Sequence, residues 1–241
     1  IGTTTPAAKL DVVGGDALIN GITVGRGAGN VLSNTAIGSE ALYTTTTGYD
    51  NTAIGRQALK NNTGKWNTAV GYQAADNNTT GADIICLGWA ADVSTNALVD
   101  ATAIGESATV NASNKVRLGN TGITVIEGQV PYSSPSDERF KFNVNENVPG
   151  LDFIKELNPV TYQFDTKKFD EHVKQNYSDE RKKEIFEKSD YGPSTEIVHT
   201  GFIAQDIERI CKELDYDFDG LHIPDASNPT DNYGVAYSQF I

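Results

Sequence analysis

The sequence predicts two differently built parts: a mainly β solenoid over residues 24–130, then an α+β domain over 136–241. Three observations carry this. A short motif recurs five times in the first part at nearly constant spacing. Composition and charge change near residue 135. The second part mixes helical and strand periods and shows no repeat.

The change in composition is large. Residues 1–135 hold 18 of the 23 glycines and set 7 basic against 10 acidic residues, a net of −3. Residues 136–241 hold 5 glycines and all three histidines, and set 12 basic against 22 acidic residues, a net of −10. Segments this different do not share one core. The whole chain, at −13, also excludes several classes. No apolar run approaches the ~18–20 residues that span a bilayer, so no membrane span is expected. An acidic chain without a basic cluster is a poor nucleic-acid partner, because phosphate contacts need Lys and Arg. Two cysteines cannot build a disulfide framework. The sequence opens on Ile1 and contains no Met, so it reads as part of a longer protein.

Residues 1–23 form an entry unit with two short strand-like pieces, 1–12 and 21–25. The repeats follow. Asn34-Thr-Ala-Ile-Gly38-Ser-Glu-Ala-Leu42 returns as Asn51 to Leu59, Asn67 to Ala75, Ile84 to Asp92 and Ala101 to Thr109. The glycines fall at 38, 55, 71, 88 and 105. One column is always branched: Ile37, Ile54, Val70, Leu87, Ile104. The column before it is always small: Ala36, Ala53, Ala69, Cys86, Ala103. Neighbours in a strand face opposite sides, so one column is expected to bury a branched stack while the other allows close approach. The glycine column supplies a turn or close backbone contact. Turn formers such as 44–48 and 61–64 separate the motifs. One coil of a β-roll or β-solenoid fits the spacing, each coil capping the next.

The candidate side chains in this part are mostly structural. Cys86 fills the small column, as free Cys packs like a small hydrophobe. Asn34, Asn51 and Asn67 are expected to cap backbone groups in a ladder. Trp66, Trp89 and Tyr72, with Tyr43 and Tyr49, could stack on a sugar ring, although packing at the coil edge is the commoner use. A glycan-cleaving site would need paired carboxylates ~5–10 Å apart, and Glu40 and Glu106 occupy unrelated columns. A hexapeptide-type acyltransferase would place an aliphatic residue every six positions, which this sequence does not.

The second part opens after a linker at 131–135 with Ser136-Asp-Glu-Arg-Phe-Lys141. Leu151, Ile154 and Leu157 have the spacing of a short amphipathic helix, ended by Asn158-Pro159. Residues 160–164 alternate as a strand. Residues 166–190 read as a charged helical excursion with a solvated face. Residues 200–204 read as a buried strand, 205–214 as a helix burying Ile207, Ile210, Cys211 and Leu214, and 233–237 as a last strand. His172, His199 and His222 lack partners at ligand spacing, so no metal and no cofactor is expected.

The T-A-I-G core followed by x-x-A-L resembles the head repeats of trimeric autotransporter adhesins and related tail-fibre proteins. That resemblance covers roughly 24–119 and implies a left-handed β-roll packed as a homotrimer. S-D-E-R-F-K (136–141), L-N-P-V-T-Y (157–162), G-F-I-A-Q-D-I-E (201–208) and Y-G-V-A-Y-S-Q-F-I (233–241) resemble the intramolecular chaperone at the C-terminus of endosialidases, tailspikes and tail fibres. The repeats and charged insertion resemble those of tail-fibre-domain proteins of Bacteroidetes. The resemblance implies a chaperone that sets the register of an upstream trimeric fibre and then cuts itself off. The matched roles are Ser136 as nucleophile and Lys141 as base, with Pro135–Ser136 as the scissile bond. Ser and Lys five apart on one turn can meet, and a Ser–Lys pair is a known variant of the Ser–His–Asp arrangement. Lys must be neutral to act as a base, and Arg139 could supply the neighbouring cation, with Asp137 in support. Pro135 fixes its own φ and so restricts how the scissile carbonyl is presented. In the family a long trimerising helix follows, and the sequence given stops at Ile241, where it would begin. The expected partners are further copies of the chain, a receptor (a glycan or surface protein) and upstream fibre or baseplate proteins. The expected location is a virion tail fibre or injection-system fibre, alternatively a cell surface.

Overall fold

The boundary near residue 135 is also where the architecture changes in the computed structural model, which describes residues 4, 12 and 15–240. Apart from Thr4 and Val12, the 1–12 piece lies outside the described residues, as do Val13, Gly14 and Ile241.

The first part is a β-solenoid. Strands β1 (Ala17–Ile19) and β2 (Ile22–Gly25) form an antiparallel hairpin. Its turn is Asn20-Gly21, both at positive φ, as a tight two-residue turn requires. β2 pairs antiparallel with β3 (Thr35–Ile37) and so starts the stack. β4 (Thr52–Ile54), β5 (Thr68–Val70), β6 (Ala82–Leu87), β8 (Val99–Ile104) and β10 (Lys115–Leu118) continue it in parallel. The register aligns Ile37, Ile54, Val70, Leu87, Ile104 and Leu118. β7 (Asp92–Val93) and β9 (Thr109–Val110) pair separately in the last coils.

The two columns are used in the reverse sense to that expected. Ala53 is fully buried while Ile54 is 38% exposed. The same holds along the stack: Ala36, Ala69, Cys86 and Ala103 line the core, and Val70 and Ile104 lie half outside. A second small column, Ala41, Ala58, Ala74, Ala91 and Ala108, is buried with the first. A lumen walled by these methyl groups, and filled by Leu42 and Leu59, has no room for the branched column, which is turned outward.

Backbone clearance sets the glycines. Gly71 sits at φ +137, and a Cβ there would lie 2.3 Å from the Gly88 carbonyl oxygen. The asparagine ladder forms as expected and is buried. Asn51 Oδ1 accepts from the Asn67 N–H at 3.0 Å, and its Nδ2 donates to the Gly64 carbonyl at 2.9 Å. Asn34 and Asn67 repeat the pattern one coil away on each side.

The second part contains α1 (Leu151–Glu156), β11 (Val160–Gln163), α2 (Thr166–Val173), α3 (Asp179–Lys188), α4 (Gly192–Thr195), β12 (Val198–Gly201), α5 (Ala204–Glu213), β13 (Leu221–His222) and β14 (Gly234–Val235). β11–β12 and β13–β14 are antiparallel pairs. Their core is aromatic: Phe153, Ile207, Ile210, Cys211 and Phe218, with Phe240 packed on Phe218 at 4.8 Å. The face of α5 is as expected. That of α1 is not: Phe153 is its buried residue, whereas Leu151 and Ile154 are exposed. Their apolar spacing faces away from this chain's own core.

The charged excursion is helical, but its inner face is not solvated. Asp170, Val173, Lys174, Tyr177, Arg181 and Ile185 are all buried. The reason is that Tyr177 and α3 pack on the solenoid around Ala90, while α2 packs on α4. Lys174 pairs with Asp170, whose second carboxylate oxygen accepts from Tyr191 Oη at 2.8 Å.

Candidate functional site

The candidate site is a single tight turn at the junction. Asp137 caps a 3-10 turn over Glu138–Phe140, its carboxylate accepting from the Arg139 N–H at 2.9 Å. The Lys141 N–H closes the turn on the Glu138 carbonyl at 3.0 Å. The turn over Glu138–Phe140 folds the chain back, so the residues flanking it approach each other. Lys141 Nζ accordingly donates to Ser136 Oγ at 2.8 Å.

Arg139 is placed elsewhere. Its guanidinium forks the Asp137 carboxylate, with Nη2 at 2.6 Å and Nε at 3.0 Å. That pair holds the Asp137 carboxyl below the usual carboxylate range. The cation suggested for Lys141 is thus spent on Asp137. Ser136 and Lys141 are both exposed in the single chain, and Pro135 before them lies in an extended, exposed segment. Phe140 and Phe142, beside Lys141, are exposed as well. An ammonium that donates to Oγ orients the hydroxyl; activating it requires a drier site in which the amine gives up its proton.

The aromatic candidates separate into two groups. Trp66 remains exposed, edge-on to Tyr49 at 5.9 Å and under Lys65 Nζ at 3.9 Å. Trp89 and Tyr72 stack on each other at 6.3 Å and are absorbed into the contact with α3. Lys188 lies over Trp89 at 4.0 Å. Glu40 is held by Lys60 and Gln57, which lower its carboxyl. Burial pushes the Cys86 thiol well up and leaves it unreactive. His199 stacks on Tyr162, while His172 and His222 both reach Asp231, the latter at 3.0 Å from its carboxylate.

Sequence reasoning missed the contact between the two parts. Arg181 Nη2 donates to Asp92 Oδ2 at 2.6 Å and to the Gln73 carbonyl at 3.0 Å; its Nη1 donates to Asp76 Oδ2 at 3.0 Å. Tyr177 is buried beside them, its hydroxyl 3.3 Å from that of Thr109. One signal was available. Asp92 occupies the column otherwise held by Leu42, Leu59, Ala75 and Thr109, and a carboxylate there demands a partner.

Residues 136–216 match the family described as the chaperone of endosialidase. The match opens on Ser136 and takes in the turn, the excursion and α5. Phe218 and Phe240, beyond it, complete the same aromatic core. No curated protein and no solved structure matches the chain. A solenoid followed by a segment similar to this chaperone fits a tail fibre with a C-terminal chaperone. Among the described residues no helix is long and apolar enough to cross a membrane.

Proposed function

We propose that the chain is part of a homotrimeric tail fibre or surface adhesin whose C-terminal unit directs trimer folding. The solenoid presents the receptor-contacting surface, and three copies add avidity. The order of the two parts and the family match at 136–216 support this reading. Exposed apolar side chains on both sides of the junction support it too. Val125, Val130, Phe140, Phe142, Val144, Val148, Leu151 and Ile154 flank the junction, and such a group wants a partner surface. Further copies of the chain would cover it, together with the half-exposed Ile54, Val70 and Ile104. The location follows as a virion or injection-system fibre, alternatively a cell surface. Glycan contact, in this reading, falls on Trp66 and Tyr49.

The junction turn is read as a self-cleaving site, and the 2.8 Å Lys141–Ser136 contact carries that reading. Neutral Lys141 takes the Oγ proton as Ser136 attacks the Pro135 carbonyl carbon. The Pro135–Ser136 C–N bond breaks, and the Ser136 nitrogen leaves with the proton returned by Lys141. Water then hydrolyses the ester to a Pro135 carboxylate and free Oγ. Trimer formation would dry the turn by covering Phe140 and Phe142. Denaturing gels test the cleavage. Wild type is expected as two bands, with Ser136→Ala and Lys141→Ala each a single full-length band; an uncut wild type overturns it. Light scattering of the uncut Ser136→Ala chain tests the assembly, with three times the 25.9 kDa chain mass expected. A stable monomer at micromolar concentration overturns the trimer.

A further inference from the structure

The excursion meets the solenoid across a joint with more than one layer. Its apolar layer is Tyr177, Ile185 and Ala90, all buried, with Trp89 and Phe186 packed around them. Its ionic layer is Arg181 on Asp76 and Asp92, both ion pairs reaching into the coil. A third layer comes from a separate segment. Thr230 Oγ1 lies 2.6 Å from Ser94 Oγ, and Asn111 Nδ2 donates to the Thr230 carbonyl at 2.5 Å and to Asn232 Oδ1 at 2.8 Å. Asn228 Nδ2 donates back to the Asn111 carbonyl at 2.6 Å. Lys115 adds an ion pair to Asp231.

We propose that this joint is a permanent clasp: cutting the chain between Pro135 and Ser136 leaves the solenoid and the C-terminal unit bound to each other. The partner surface is the solenoid's last coils, from Gln73 to Lys115. The cut removes one covalent link in an exposed, extended segment that contributes nothing to the joint. Separation would instead strip Asp92, a carboxylate buried in the joint, of Arg181, the one cation paired with it among the described residues. It would leave Asn111 and Ser94 unmet as well. Losing these paired polar groups together with the buried apolar layer is costly, so the bound state is preferred. The C-terminal unit then remains as a cap on the solenoid end after folding.

The clasp extends the cleavage reading, and its test is independent of that reading. In a Ser136→Ala chain, residues 131–135 are replaced by the recognition sequence of a specific protease, and the purified protein is digested. A denaturing gel should show two pieces, and gel filtration at micromolar concentration should show one peak holding both. Arg181→Met and Tyr177→Ala, each checked for folding before digestion, should raise the dissociation constant about 100-fold or more. Should Arg181→Met fail to fold, Arg181→Lys keeps the charge but loses the fork, and an intermediate weakening is expected. Pieces that separate on cutting the otherwise unchanged chain overturn the clasp. So does co-elution that is unaffected by every joint variant. Failure of natural self-cleavage, seen on gels of the wild type, leaves this result standing.

Discussion

The solenoid and the C-terminal unit reach a stable interior by opposite means. In the solenoid the backbone does most of the holding. Parallel strands run in strict register, an amide ladder closes the first three coils, and the interior side chains are mostly alanines. In the C-terminal unit strands are few and short, and large side chains hold it: an aromatic core and buried ion pairs. A repeat can use small side chains because each coil borrows its neighbour's surface. A unit without repeats must fill one irregular space and needs bulk. The two parts should therefore be fragile at different residue types.

Glycine gives the sharpest contrast. Gly71→Ala places a methyl group 2.3 Å from the Gly88 carbonyl oxygen in a backbone at φ +137. The next coil cannot move without breaking register, so a loss of about 4 kcal/mol or more is expected. Gly192 opens α4, where an added Cβ meets only Asp190 Oδ1 at 3.4 Å. Gly192→Ala should change stability by less than about 1 kcal/mol, as lost chain entropy in the unfolded state offsets any crowding. Urea midpoints of the two variants decide it; equal effects would break the contrast.

Amide side chains come next. Asn51→Ala removes a buried group that satisfies the Asn67 N–H and the Gly64 carbonyl and leaves both unmet. A loss of about 2–3 kcal/mol follows from unpaired buried polar groups. Asn145, exposed, donates only to the Asn143 carbonyl beside it, and its replacement by Ala should fall within about 0.5 kcal/mol of wild type. The difference is read from thermal melts of the two variants. Should Asn51→Ala behave like Asn145→Ala, the ladder is a by-product of stacking and not a support.

The same contrast explains what was legible in the sequence. Register, coil length, the glycine column and the asparagine ladder could all be read, because repetition displays each constraint three to five times. The facing of the two strand columns could not. Alternation says that neighbours face opposite sides, but not which side encloses the lumen. That is fixed by the second alanine column, Ala58 and its equivalents, across the coil. Leu118-Gly119 was missed as a sixth step because Gly119 comes 14 residues after Gly105 instead of 17. In the C-terminal unit α5 was legible from its period, and Ser136 and Lys141 only through the resemblance that S-D-E-R-F-K shares with its three companion motifs. The burial of Arg181 and Lys174 was not, since a charged helix facing water and one facing a buried carboxylate have the same composition. Only Asp92, out of place in an apolar column, marked where that contact would fall.

The smallest effect concerns protons, and it divides the two parts by sign. Asp92 is buried in the coil, and burial pushes its carboxyl up to about 7 against the pull of Arg181 and of the Val93 and Asn77 N–H groups, with Asp76 adding a further push. Tyr177 and Cys86, the other titratable groups beside it, stay neutral because burial drives both well up. Relative to the unfolded chain this carboxyl is raised. Its contribution to solenoid stability is therefore whole below the usual carboxylate range and is lost as pH rises through about 7. Relative to the same buried site without the guanidinium it is lowered, because Arg181 favours the carboxylate. The Arg181–Asp92 pair therefore acts in full above about 7, where the carboxyl is ionised, and is lost as pH falls through about 7. Gel filtration of the protease-cut complex from pH 8.5 to pH 6 should show weaker association on the acid side, by roughly tenfold for each pKa unit that Arg181 contributes. In Asp92→Asn that slope should flatten, while the solenoid melts at an unchanged or higher temperature across the same range. A slope that survives Asp92→Asn would assign the proton to another group and remove Asp92 from the joint's electrostatics.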